Sequence, residues 1–172
     1  LAGAALAFAL MVAGLGVKAA LFPLHGWLPR AMVAPAPVSA LLHAVAVVKA
    51  GVFGIVRVVD DVYGVELAHA LGLLGPLLAL AAFTVVFGSV LALRQQDLKR
   101  RLAYSTVSQV SYVTMGIAVF SEAATAGGLV HLVHQGLMKI TLFFCAGIFA
   151  EVLGVKTVSG LAGVGRRMPL TA

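Results

Sequence analysis

Five stretches of this chain are each long and apolar enough to cross a bilayer, whose hydrocarbon core takes about 20 predominantly apolar residues per helix. They run over about Ala2–Leu28, Val38–Val59, Leu67–Leu93, Leu102–Phe120 and Leu129–Ala150. The expected fold is therefore all-α, a polytopic transmembrane helix bundle of about five spans. Composition agrees: 62% of the 172 residues are hydrophobic, 10% are charged, and the mean hydropathy is +1.08. A soluble domain carries about 25% charged residues, so this chain lacks the polar surface to dissolve.

Gly14, Gly16 and Pro23 interrupt the first span. Glycine loosens the backbone and proline removes a donor, so the first helix is expected to break between Gly14 and Pro23. The linker Pro29 to Pro37 holds three prolines and cannot be continuous helix, and the second span opens at Pro37 with Ser39 behind it. Gly75-Pro76 predicts a kink near the start of the third span. Asp60–Glu66, Arg94–Arg101 (RQQDLKRR) and SEAATAGG from Ser121 read as loops, and Glu151–Ala172 as a Gly-rich basic tail. The first residue is Leu1, inside an apolar segment, so the chain reads as a piece of a longer protein. No basic n-region precedes a cleavage site, so no signal peptide is expected.

The net charge of +6 would suggest nucleic acid in a soluble protein. Here the basic residues flank apolar spans, so nucleic-acid binding is set aside. Arg30, the Arg94–Arg101 cluster, and Lys156, Arg166 and Arg167 mark alternate connections, while Asp60, Asp61, Glu66 and Glu122 mark the others. The positive-inside rule places the basic connections in the cytoplasm, in a multi-pass cell-membrane topology.

Lys18, His43, Lys49, His131, His134 and Lys139 all fall inside the spans. A charge at the bilayer centre costs roughly 2.5–3.5 kcal/mol on insertion scales, so such groups mark ion or proton paths. Lys18 sits near a helix end and could snorkel, but Lys49 and Lys139 lie too deep. Burial disfavours a lysine's charged form, and histidine exchanges protons near neutrality unaided. A neutral, hydrogen-bonded core histidine is an equal alternative for His43 and His134. His131, Gln135 and Lys139 recur at i, i+4 and i+8, on one helix face. Ser105, Ser108, Gln109 and Tyr112 form a polar stripe on the preceding span, either interhelical hydrogen-bond glue or a hydrated wall.

Other chemistries find little support. The lone Cys145 allows no internal disulfide, and His131-His134 is too common a spacing for a metal site. Ser39 and His43 lack a nearby carboxylate for a triad, and the GLG and GVG pieces lack a nucleotide-fold context. No metal or cofactor is expected.

The stretch KAALFPLHGWLPRAMVAPAPVSALLHAVAVVKAGVFGIVR resembles the signature of the proton-conducting antiporter-like membrane subunits of respiratory complex I and of Mrp-type Na+/H+ antiporters. DLKRRLAYSTVSQVSYVTMGIA, LMKITLFFCAG and the closing GVGRRMP fit as well, in the same order. The resemblance implies inverted five-helix repeats, each with a broken helix. Residues 1–59 would end one repeat, 67–150 would open the next, and 151–172 would be a basic tail. It implies a proton relay through Lys18, His43, Lys49, His131 and Lys139. Lys18 would pair with a glutamate outside this chain, so the chain alone holds the middle of a path.

Gln135 departs from the family, where a histidine often stands. Transfer past it must use water, or His134 must turn inward. The segment LMKITLFFCAG leans toward the D-type subunit of Mrp antiporters. The alternative is a complex I or hydrogenase subunit, and beyond it stands a structural subunit that conducts nothing. Expected partners are other membrane subunits, lipid, protons and, as a further cargo, Na+. No catalytic nucleophile or redox centre is expected.

Overall fold

The structure, a computed structural model, describes residues 2–44 and 46–172. The first helix, α1 (Ala2–Ala19), ends at Ala20, which takes a left-handed conformation with φ 55°. The chain resumes as a 3-10 turn at Leu24–Gly26, the short helix α2 (Trp27–Arg30), a second 3-10 turn at Ala31–Val33, and α3 (Ala36–Ala44). The expected break is thus present, at Ala20–Pro23. Its freed backbone groups find partners: Phe22 N donates to Thr84 Oγ1 at 3.2 Å, and Trp27 Nε1 donates to Val17 O at 2.6 Å. Irregular backbone at membrane depth persists only when neighbours re-satisfy it in this way.

The second span is two helices rather than one. α3 is followed by α4 (Val47–Arg57), with Ala46 outside helical dihedrals at φ −96°, ψ −82°; Val45 lies outside the described residues. Three of the four residues Val45–Val48 are β-branched, a composition that weakens helix. The predicted acidic loop is mostly helical. α4 runs on as a π-helical turn over Val58–Tyr63, where Arg57 pairs with Asp61, and Gly64 leads into α5 (Val65–Ala70).

The third span is divided at Gly72, which has φ 70°, before α6 (Leu74–Arg94). Pro76 therefore falls in the first turn of α6, where its missing N–H would have had no helical partner, and the predicted kink is replaced by a helix start. The charged run is a loop only over Gln95–Asp97: Asp97 accepts from Arg100 N at 2.8 Å and caps α7 (Leu98–Ala118). After three non-helical residues, α8 (Glu122–Val152) absorbs SEAATAGG and extends over 31 residues.

Among the described residues four segments, Gly3–Val33, Ala36–Tyr63, Leu74–Arg94 and Glu122–Val152, are long and apolar enough to span a membrane. The fifth expected span, α7, is long enough but too polar. It packs against α1, α2, α4, α6 and α8, and buries Thr106, Ser108, Ser111 and Thr114 among neighbours instead of presenting them to lipid. Beyond α8 the tail forms a 3-10 turn at Ser159–Leu161 and the short α9 (Val164–Arg167). The basic connections gather at one end: Leu98 N donates to Lys156 O at 2.9 Å, Val158 N to Gln96 O at 2.8 Å, and Lys99 Nζ to Ala34 O at 2.9 Å.

Small residues set the closest approaches, as is usual where helices meet in lipid. A Cβ added at Gly51 of α4 would lie 2.7 Å from Lys18 Cβ, whereas one added at Gly127 of α8 would meet nothing within 4 Å. Gly51→Ala is therefore expected to destabilise the protein by about 1–3 kcal/mol through overpacking. Gly127→Ala should be neutral or stabilising by about 0.4–1 kcal/mol. Thermal unfolding of both variants in detergent checks the contrast.

Candidate functional site

The site is the seam between α7 and α8, which run antiparallel with matching registers. Ser105 stands opposite Lys139, and two turns away Tyr112 stands opposite His131. Lys139 Nζ donates to Ser105 Oγ at 2.7 Å and to Leu102 O at 3.4 Å, and the residue is 4% exposed. Two acceptors thus replace part of the ammonium's hydration, as a buried charge requires. His131 packs edge-on against Tyr112 with ring centroids 5.8 Å apart. Both line a cavity of about 490 Å³ together with Gln109, and the cavity extends toward Val119 and Ala124 at the α7–α8 turn.

Between His131 and Lys139, Gln135 is 1% exposed and neither amide atom has a partner. His43 of α3 is buried, its two ring nitrogens equally unpartnered, and its ring lies 4.8 Å from that of Phe143, one turn past Lys139. α3 packs along α8, which sets His43 beside the turn that carries Lys139. An unpartnered buried polar group costs about 1–3 kcal/mol, and buried water commonly satisfies such groups with about three hydrogen bonds each. Half-buried His131 and buried Gln135 and Lys139, with His43 of α3 beside them, therefore make a polar line along the seam, with unpartnered atoms of the kind that bound water satisfies.

The other expected site residues divide. Gln109 and Tyr112 line the cavity with His131. Ser108 lies elsewhere: its hydroxyl meets Ser89 Oγ of α6 at 2.8 Å, on the face where Gly88 lets α6 and α7 touch. His134 is exposed, and the buried face of α8 belongs to Gln135, so the expected alternative of an inward His134 is not what the helix phase gives. Lys18 is exposed at the end of α1 and Lys49 is half-buried on α4; neither joins the Lys139 group, although Gly51 brings the two helices together beside them.

Two residues escaped the sequence reading. Thr84 ties the α1 break to α6. His25 stacks on Phe22 at 5.8 Å and packs against Phe87 at 5.2 Å, with Nδ1 buried and unpartnered. Its place two residues after Pro23 was the available signal. Among the described residues no three of His, Cys, Asp or Glu gather as a metal site would need.

Residues 2–172 match the family model described as NADH:quinone oxidoreductase/Mrp antiporter, TM. The chain is 43% identical over 171 residues to the NADH-quinone oxidoreductase N subunit of Desulforudis audaxviator, covering 96% of this chain and 33% of that protein. It is 40% identical over 164 residues to the A/B subunit of a probable K(+)/H(+) antiporter of Rhizobium meliloti, covering 95% of this chain and 16% of that one. Among solved structures it resembles the Mrp complex from Dietzia, with TM-score 0.80 and 36% identity over 90% of this chain and 16% of that chain. It also resembles an archaeal membrane-bound sulfane sulfur reductase, with TM-score 0.83 and 35% identity over 95% of this chain and 33% of that chain. The chain thus spans a third or less of the length of these relatives.

Taking a single ammonium out of water costs several kcal/mol, and the neutral acceptors at Lys139 offset only part of it. Lys139→Met should accordingly leave the detergent melting temperature unchanged or raised. A clear fall would mean that the lysine is kept to hold α7 and α8 together.

Proposed function

Because the chain belongs to the NADH:quinone oxidoreductase/Mrp antiporter membrane family, we propose that it forms part of the proton-translocating subunit of a multisubunit Na+/H+ (Mrp-type) antiporter. The observation that carries this reading is the polar line of His131, Gln135 and Lys139 facing Ser105 and Tyr112, with His43 beside it. Lys139 holds a proton against the Ser105 hydroxyl and the Leu102 carbonyl. A second positive charge on His43 raises the energy of both, so protonation of one drives the proton from the other. Gln135 does not titrate, and the step between His131 and Lys139 passes through water held at its amide. Lys49 and Lys18 serve the same path farther on, with residues 1–59 closing one repeat and 67–150 opening the next. The protein sits with other membrane subunits in the cell membrane, its basic end in the cytoplasm by the positive-inside rule.

A second reading, a proton-pumping subunit of an NADH-quinone oxidoreductase, is favoured by the 43% identity to the Desulforudis protein. It uses the same relay. A purely structural subunit would pair its buried lysines with carboxylates, yet among the described residues the ion pair joins Arg57 to Asp61 and Lys139 has none.

The test is proton flux in proteoliposomes holding the full-length protein within its complex. Lys139→Ala and Lys49→Ala should each lower transport at least about a hundredfold, the range of a lost proton-transfer group, while the other subunits still co-purify. Wild-type flux in both variants would sink the relay. Flux driven by a Na+ gradient identifies the antiporter, and flux that requires NADH and quinone identifies the second reading.

A further inference from the structure

α3 is only nine residues long, yet it seats the His43 ring against Phe143, one turn past Lys139 on α8. A helix that short does not hold its own position, so its attachments decide where His43 stands. At its entry, the carbonyl of Ala34 accepts two hydrogen bonds: from Ser39 Oγ at 3.1 Å, within α3 itself, and from Lys99 Nζ at 2.9 Å. Lys99 belongs to the first turn of α7, the helix that also supplies Ser105 Oγ and Leu102 O to Lys139. Between this tie and the buried pair lies a small separate core of Met32, Ala40, Ala103 and Phe143, with Phe143 against the His43 ring. The two ends of α3 are thus joined to α7 and α8 through close packing, which transmits displacement instead of absorbing it.

We infer that Lys99 is a positioning residue for the His43–Lys139 pair. Its ammonium fixes the entry of α3 to the helix that holds Lys139, and so sets the spacing across which the two groups act on each other. Resting on the relay reading above, the inference adds a residue at the basic end that touches neither proton station. It also gives Lys99 a part distinct from Arg94, Arg100 and Arg101 in the same run. Arg94 and Arg100 are exposed and Arg101 is half-buried, whereas Lys99 Nζ donates to a backbone carbonyl 65 residues away in sequence.

The experiment compares wild type, Lys99→Met and Lys99→Arg in the full-length protein, assembled in its complex. It reads proton flux in proteoliposomes and the ¹⁵N resonances of the His43 imidazole. Lys99→Met should assemble, lose about tenfold in flux, in line with sub-ångström to 1 Å misplacement of reacting groups, and shift the His43 resonances. Lys99→Arg, which keeps a donor for the Ala34 carbonyl, should recover most of both. Wild-type flux with unmoved His43 resonances in Lys99→Met overturns the proposal, as does a Lys99→Arg protein as defective as Lys99→Met. If Lys99→Met does not assemble, Ser39→Ala removes the other donor to the same carbonyl: shifted His43 resonances support the tie, and unmoved ones overturn it. Lys139→Ala serves as the control. Should it conduct normally, the relay reading fails by itself, and the position of His43 is judged from the resonances alone.

Discussion

α7 carries too many hydroxyls and amides to face lipid, and that constraint arranges the rest of the bundle. In a bilayer a polar helix persists where other helices cover it. α6 covers one side, with Gly88 admitting it closely and Ser89 meeting Ser108; α8 covers the other, with Lys139 and His131 facing Ser105 and Tyr112. The broken region of α1, with α2, and α4 complete the enclosure. The same polarity that demands the enclosure supplies the acceptors that let a lysine sit 4% exposed at membrane depth. Architecture and candidate chemistry thus have one cause.

Much of this was legible in the residues. Apolar length marked the membrane-crossing segments, the Gly14–Pro23 punctuation located the break, and the i, i+4, i+8 spacing of His131, Gln135 and Lys139 put them on one face. The misreadings share a physical origin: hydropathy reports burial, while capping and backbone chemistry decide where helices start and stop. Asp97 begins a helix inside a charge run that looked like a loop, and Pro76 opens α6 where it looked like a kink. Helix phase was the second difficulty. Ser108 and Gln109, or His134 and Gln135, differ by about 100° around an axis, and which of two neighbours faces the seam depends on where the partner helix lies. The partner's position is a tertiary fact, which is also why Lys18, inside a span by sequence as Lys139 is, emerges exposed.

The relatives come from both an antiporter and a quinone oxidoreductase, each protein several times longer than the chain. The geometry of the α7–α8 seam is indifferent to that distinction. Ser105 and Leu102 hold the Lys139 ammonium, and neither contact depends on which of the two complexes the chain would serve. Gln135 bears on the chemistry of the seam itself, since an amide offers both donor and acceptor at every pH and never stores charge.

The Thr84 hydroxyl does two things at once. It accepts from Phe22 N in the broken segment and donates to Leu80 O one turn back along its own helix. Widening the break would strip the acceptor from Phe22, and reseating it would oblige α6 to shift with the segment. The interruption in α1 and the middle of α6 therefore share one hydroxyl, so that displacing either one costs a hydrogen bond to the other.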